Sequence, residues 1–289
     1  MLNPWKTRVL QANLVAQTLI VFTGALVRVT SSGLGCPTWP ECVPGSITPT
    51  SNQTQQWHKY IEFGNRLLTF VLVAVAIATI VAMRGQRKSL RRLSYGSMLG
   101  IFAQAILGGI SVLTHLNPLV VAAHFLLSIG LITVAQVLLW RSKETTDEPA
   151  TLAVHPLIAL GVRVHTVLAL VIITVGTLVT GSGPHAGDSA EITRLPFDPR
   201  MISWFHADLV VLFIGLTIGL HIALRATNAP RRAVRGSTEV LGASALQGLI
   251  GYSQYFLGLP WALVSLHVLG AAILWITSLN LRMSISTRR

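Results

Sequence analysis

The sequence predicts an all-α integral membrane protein of eight transmembrane helices, arranged as two duplicated four-helix bundles with both termini cytoplasmic. Three observations carry that prediction. In a chain of 289 residues, 52% are hydrophobic and only 11% charged, with a mean hydropathy of +0.62; a soluble domain of this size could hardly keep such a composition in solution. Eight apolar runs, roughly 9–29, 58–83, 93–113, 119–140, 157–180, 201–224, 238–257 and 261–281, each approach or exceed the ~20 residues that cross a bilayer. Finally, the two halves of the chain resemble each other at their polar positions.

The basic residues orient the runs. Lys6 and Arg8, the 84–92 loop, Arg141 and Lys143, the 225–235 stretch, and Arg282, Arg288 and Arg289 hold 16 of the 22 Lys and Arg residues. An even number of spans puts all of these on one side, which the positive-inside rule makes the cytoplasm. Net charge +12 therefore reports topology rather than a nucleic-acid face, because the cations lie between apolar runs instead of gathering on one surface. No cleavable signal is evident, since Pro4 to Arg8 leads into a run of full spanning length. The outer connections are two longer loops, about 30–57 and 181–200, and two tight turns, His115 to Pro118 and Gly258 to Pro260. The first loop, rich in Ser, Thr, Pro and Gln, has no helical period and should be irregular, held down by its own contacts.

The repeat divides the chain into 1–148 and 149–289. GALVRVTSSG from Gly24 resembles GTLVTGSG from Gly176, and AQAILGGI from Ala103 resembles LQGLIGYS from Leu246. Gln104 precedes His124 by 20 residues, as Gln247 precedes His267, and Ile61 to Asn65 lies over Ile202 to His206. Polar residues are what match, which apolar helices do not do by chance.

Four of those positions share one depth. Asn65, His124, His206 and His267 each lie five to seven residues inside a helix entered from the outer face, roughly 8–10 Å below the interface. Two facing imidazoles make a six-coordinate haem centre, and His206 with His267 is the candidate pair; an intramembrane His can equally serve as a helix-to-helix hydrogen bond. In the first half Asn65 stands where the duplication calls for a second histidine, so a haem there would be held by His124 alone, leaving one face for chemistry. Glu62, one turn before Asn65, is an ionisable residue within a span and hence a functional candidate; a structural pair with Arg66 at i+4 is the competing reading. Asp208 reads as a second buried acid.

Cys36 and Cys42 sit in the first outer loop, where Pro37 and Pro40 shape a short segment that can bring them together. Their bridge is either a plain staple or, if exposed, a labile redox-active pair. His58, at the mouth of the second helix, is placed to assist Asn65. His115 and His185 fall in outer loops, and His155, His165 and His221 near the cytoplasmic ends suit a solvated or interfacial role.

With LVRVTSSGLGCPTWPEC, IEFGNR, the helix-borne histidines and LVTGSGPHAGD in place, the whole chain resembles the haem A synthase family, in its cysteine-pair-containing bacterial form. That resemblance implies an oxidoreductase of the bacterial cell membrane that oxidises a methyl group of haem O stepwise to the formyl group of haem A. It implies a catalytic first half, where Glu62, Arg66, His124 and position 65 handle the substrate haem O, and a second half binding haem B through iron ligands His206 and His267. It implies a Cys36–Cys42 disulfide. As partners it implies membrane lipid, the haem farnesyltransferase acting one step earlier, terminal-oxidase assembly factors and a homo-oligomer. The family carries E-x-x-H-R where this chain has Glu62-x-x-Asn65-Arg66, so the bis-histidine state of the first haem is where it departs.

Two other classes compete. A di-haem, b-type, quinone-linked electron carrier would need two bis-histidine sites and no Glu62, and Asn65 counts against it. A thiol–quinone oxidoreductase generally needs a second cysteine pair, whereas this chain has two cysteines in all. The Asp-rich motifs of a haem farnesyltransferase are absent.

Overall fold

A computed structural model describes residues 3–188 and 192–288. Arg289 and positions 189–191 of the second outer loop lie outside the described residues. The chain forms eight α-helices: α1 (Pro4–Val29), α2 (His58–Met83), α3 (Lys88–Leu113), α4 (Pro118–Arg141), α5 (Pro156–Ser182), α6 (Pro199–Ala226), α7 (Arg231–Phe256) and α8 (Trp261–Ser284). Four of them open on a proline preceded by a capping side chain. Asn3 accepts from Trp5 N at 3.3 Å, Asn117 from Leu119 N at 3.0 Å, His155 from Leu157 N at 3.3 Å and Asp198 from Met201 N at 2.8 Å. Proline has no N–H to leave unpaired at that point, and the caps satisfy amides that the helix cannot.

The helices run where the apolar runs lie, but α1, α3 and α7 begin earlier, at Pro4, Lys88 and Arg231. Their first turns are basic, too polar to count toward a span yet continuous with the helical backbone. Among the described residues, seven helices are long and apolar enough to cross a membrane. The expected eighth, α7, is less apolar along its 26 residues because Arg231, Arg232, Arg235, Glu239 and a series of Ser, Thr and Gln side chains interrupt it.

Each helix packs on its chain neighbour, and α1 against α4 and α5 against α8 close two four-membered rings. The rings meet where α1 and α4 lie against α8, and α4 against α5. That seam is partly polar: Trp275 Nε1 donates to Thr133 Oγ1 at 2.7 Å, and the Gln136 amide donates to Asn280. Within the first ring, Leu72, Ala76, Ile101 and Leu131 form one buried cluster with Ile20 packed on it, and Leu10, Ala82, Met83, Leu90 and Leu138 form another. A larger cluster fills the second ring and includes Ile172, Phe213 and Leu274.

One end of the molecule gathers the basic residues. There the two-residue strands β1 (Thr151–Leu152) and β2 (Ser286–Thr287) pair antiparallel, tying the inter-ring linker to the C-terminal segment; pairings this short leave no periodic signal in a sequence. Arg87 and Arg141 meet Asp147 at 2.7 and 2.9 Å, and Arg288 meets Glu144 at 3.0 Å. The Ser89 hydroxyl, more than either arginine, holds the exposed Asp147 carboxyl below the usual carboxylate range. At the opposite end, left-handed residues turn the chain between helices, His115 and Leu116 before α4 and Gly258 and Leu259 before α8.

Candidate functional site

Helical spacing builds the first ring's interior. Ile20, Leu72, Ile101 and Leu131, one from each helix, meet in a single cluster. Seven residues further toward the loop end, two turns or about 10 Å away on the same faces, stand Asn65 on α2, Gly108 on α3 and His124 on α4. Gly24, one turn beyond Ile20, faces the same interior. Between the two levels the Gln104 carboxamide donates to Ser128 Oγ, which donates to the His124 carbonyl at 3.2 Å.

The second ring repeats this plan. Ile172, Phe213 and Leu274 share a cluster, and the corresponding steps lead to Gly176, His206 and His267. On α7 the same seven-residue step joins buried Ser244 to Gly251. Here too a glutamine intervenes, Gln247 Nε2 donating to the His267 carbonyl at 2.7 Å. His206 and His267 lie within electrostatic reach of each other.

Each histidine ring rests on a helix glycine. A Cβ at Gly108 would come within 3.1 Å of His124 Cε1, at Gly251 within 3.1 Å of His267 Cε1, and at Gly176 within 3.3 Å of His206 Cε1. A larger residue would push the imidazole off its place. The Nδ1 atoms of all three are buried without a hydrogen bond, with the Ile172 backbone beside His206. Half-buried imidazoles seated on glycines, each with a buried Nδ1, fit a group that takes nitrogen ligands in an apolar enclosure, as a haem does. Asn65 departs from the pattern: its Oδ1 accepts from Thr23 Oγ1 at 2.7 Å.

The disulfide loop lies over the loop end of the first ring. Cys36 and Cys42 are bridged, with Cα atoms 4.3 Å apart. Both are fully buried, which favours the plain staple over the exposed, labile alternative. Trp39 lies against α3 at Gly109, where even a methyl group would collide with the indole. Glu62, buried at 5% exposure, binds this loop with both oxygens engaged: Oε2 accepts from Cys36 N at 2.5 Å, and Oε1 from Arg66 Nη2 at 2.6 Å and Nε at 3.1 Å. Arg66 in turn donates to the carbonyls of Cys36, Thr38 and Glu41 at 2.8, 3.1 and 3.3 Å. The predicted Glu62–Arg66 pair is therefore present and doubles as the loop's anchor. Glu62 and Asn65 share the helix yet turn to different partners, one to the loop and the other to α1.

Other expectations need correcting. Asp208 is exposed on α6 rather than buried, because two residues past His206 is more than half a turn around the helix. His165 is fully buried, with Nε2 3.0 Å from Thr217 Oγ1 and its ring stacked on Phe213 at 4.2 Å, so a solvated role does not apply. His221 bonds Ser237 at 2.9 Å. His58 does not reach toward Asn65; its Nδ1 is 2.9 Å from Ser32 Oγ.

Several residues that shape the site carry no sequence signal. Gln53 braces the disulfide loop, donating to Gly35 O at 3.2 Å and to Cys42 Sγ at 3.6 Å. Buried Lys59 holds the carbonyl of Thr50 at 2.6 Å. Arg28 crosses between the rings to the carbonyls of His185 and Thr180 at 2.7 and 3.0 Å, beside a Gly33 N to Gly187 O bond of 2.7 Å and a Ser32–Asp188 bridge. Only the glycines were legible in principle, through their steps of seven residues (Gly108, Gly251) or four (Gly24, Gly176) from buried or partly buried positions on the same helices.

Part of the chain is 36% identical over 139 residues to a haem A synthase of Geobacillus thermodenitrificans, covering 47% of this chain and 42% of that protein. A haem A synthase of Geobacillus kaustophilus (strain HTA426) is 33% identical over 141 residues, 47% and 43% of the two chains. One from Lysinibacillus sphaericus (strain C3-41) is 36% identical over 113 residues, 38% and 36%. The matched part thus spans less than half the length of each of these relatives. A family model described as cytochrome oxidase assembly protein matches residues 7–279. The chain belongs to the COX15-CtaA family of cytochrome oxidase assembly proteins.

Proposed function

We propose that this protein is a haem A synthase, a membrane oxidoreductase that converts the methyl group of the substrate haem O to the formyl group of haem A. The observation that carries the reading is the pairing of two like interiors with unlike ligand sets: facing His206 and His267 in one, and His124 opposite a non-ligating Asn65 beside the Glu62–Arg66 pair in the other. The names of the relatives support it.

In this reading residues 149–289 bind haem B between His206 and His267, and residues 1–148 bind haem O at His124. Haem B, when bound, supplies one-electron chemistry. The chain's own residues do the rest. Glu62 takes and releases a proton at its carboxyl beside the substrate. Arg66 fixes that carboxyl through its two bonds to Oε1, while the Cys36 N–H holds Oε2 at the loop. The Cys36–Cys42 loop, with Trp39 against α3, closes the first ring against water, which strengthens every charge interaction beneath it. The polar helix α7 crosses the membrane with its amides and hydroxyls turned to α6 and α8, the rings descend from a duplication, and both termini face the cytoplasm of a bacterial cell. Haem farnesyltransferase and oxidase-assembly partners fit a protein that receives and passes on a haem.

Mass analysis of the pigment extracted from purified protein tests the reading. Haem O, its hydroxylated form or haem A alongside haem B is expected. Haem B alone, at two per chain, would instead mark an electron carrier.

A further inference from the structure

We infer that the space beside Gly24, edged by the Asn65 carboxamide, is a binding site for a small neutral ligand with a hydrogen-bond-accepting oxygen, in the class of dioxygen or water. The inference rests on the proposed haem at His124 and assigns what faces it. Gly24 and Gly176 hold equivalent places in the two halves. A Cβ at Gly176 would meet His206 within 3.3 Å, whereas a Cβ at Gly24 would find nothing within 4 Å.

That open space lies inside the ring. Ile20, one turn toward the basic end on the same face, packs on the cluster that α2, α3 and α4 share. Asn65 and His124 stand two turns above that cluster on the facing helices. The bond of 2.7 Å from Thr23, the chain neighbour of Gly24, to Asn65 brings the space to the level of that carboxamide and within the enclosure.

Asn65 gives the space its polarity. The Thr23 hydroxyl lies 2.7 Å from Asn65 Oδ1 and 3.2 Å from the Ile20 carbonyl; its one proton takes the shorter bond. The carboxamide oxygen is then satisfied and its orientation set. Nδ2 has no partner among the described residues, so two N–H donors remain beside Gly24. A donor across from a haem face favours a bound ligand that accepts a hydrogen bond, and steric access decides whether it enters. In the second half the His206 ring occupies the equivalent seat, so the two interiors differ in whether a small ligand has room.

The test uses haem-loaded protein in detergent, reduced, with carbon monoxide as the probe. Wild type should bind it at the His124-dependent haem. Gly24→Leu, which fills the space and favours the helix, should slow or weaken binding about tenfold or more at unchanged haem content. Asn65→Leu should bind carbon monoxide but raise the C–O stretching frequency, because the N–H donors are gone. Asn65→His should abolish binding by placing an imidazole over Gly24. Gly130→Leu, on an exposed face of α4 with open space around it, is the control and should match wild type.

Equal carbon monoxide binding in wild type and Gly24→Leu overturns the inference, as does no binding by a wild type that carries its His124-dependent haem. If His124→Ala leaves the pigment unchanged, the haem assignment of the first half has failed, and this inference falls with it. The two failures are told apart by the haem content of His124→Ala.

Discussion

The two rings use one plan and reach different ends. In each, a buried cluster makes a floor, and Asn65 and His124 in the first ring, His206 and His267 in the second, stand two turns above it. The second ring seats an imidazole on Gly176 and another on Gly251, the two within electrostatic reach of each other. The first seats His124 on Gly108, keeps Gly24 clear, and turns Asn65 away to Thr23. On the proposed reading, one ring is saturated with ligands and the other is left open on one face. Symmetry of scaffold with asymmetry of side chains would, on that reading, let one chain hold a spectator redox group and a reacting one.

Replacing His206 or His267 by alanine should break the comparison most severely. The low-spin haem B spectrum should disappear while the haem O pigment stays, and retention of a normal low-spin signal in both variants would remove the pair from the second site. Next comes Glu62→Gln. It keeps the hydrogen bond to Arg66 but loses the titrating group, so haem O turnover should fall about 10²–10⁴-fold with both haems bound. Wild-type product yield in that variant would leave Glu62 as an anchor for the loop and nothing more.

Changing Cys36 and Cys42 together to serine probes the loop over the first ring only. The chain-entropy cost of a six-residue closure is about 2 kcal/mol, so thermal unfolding should come earlier and proteolysis in 30–57 faster, with the second haem unaffected. A folded, haem-loaded but slow double variant would assign the pair a redox role instead. The glycines sharpen the comparison at smaller cost. Gly176→Ala should weaken haem B binding by crowding His206, whereas Gly24→Ala should keep both haems and stabilise α1 by about 0.5–1 kcal/mol, read from denaturation midpoints.

The smallest effect lies between the rings. Asp147, on the linker, has its folded-state pKa depressed chiefly by Ser89. Its contribution is present above the ordinary carboxylate range and lost as pH falls through the depressed value. Melting temperature should therefore drop slightly more on acidification for wild type than for Asp147→Asn.

Much of this was legible from the residues. Hydropathy marks the helices because a bilayer admits little else, and the equal depths of Asn65, His124, His206 and His267 follow from counting along those helices. The partners of Glu62 beyond Arg66 were not legible. Cys36 N–H, the Thr38 and Glu41 carbonyls and Gln53 meet through an irregular loop, which has no period to read. Asp208 misled because a charge inside an apolar run looks buried until the helix face is known. His165 misled in the other direction, since nearness to a helix end says nothing about which neighbour covers it.

The bonds of Arg28 have a consequence for how the protein is made. Its guanidinium waits for the carbonyls of Thr180 and His185, and Gly33 for Gly187. The ribosome delivers those partners some 150 residues later, after α5 has entered the bilayer. The first ring can insert early, but its loop end stays unfastened until the second ring begins to arrive. The first ring is thus synthesised first but fastened only once α5 is in place, and a chain halted before residue 180 would present an apolar bundle with its loop end unlatched to the quality-control machinery.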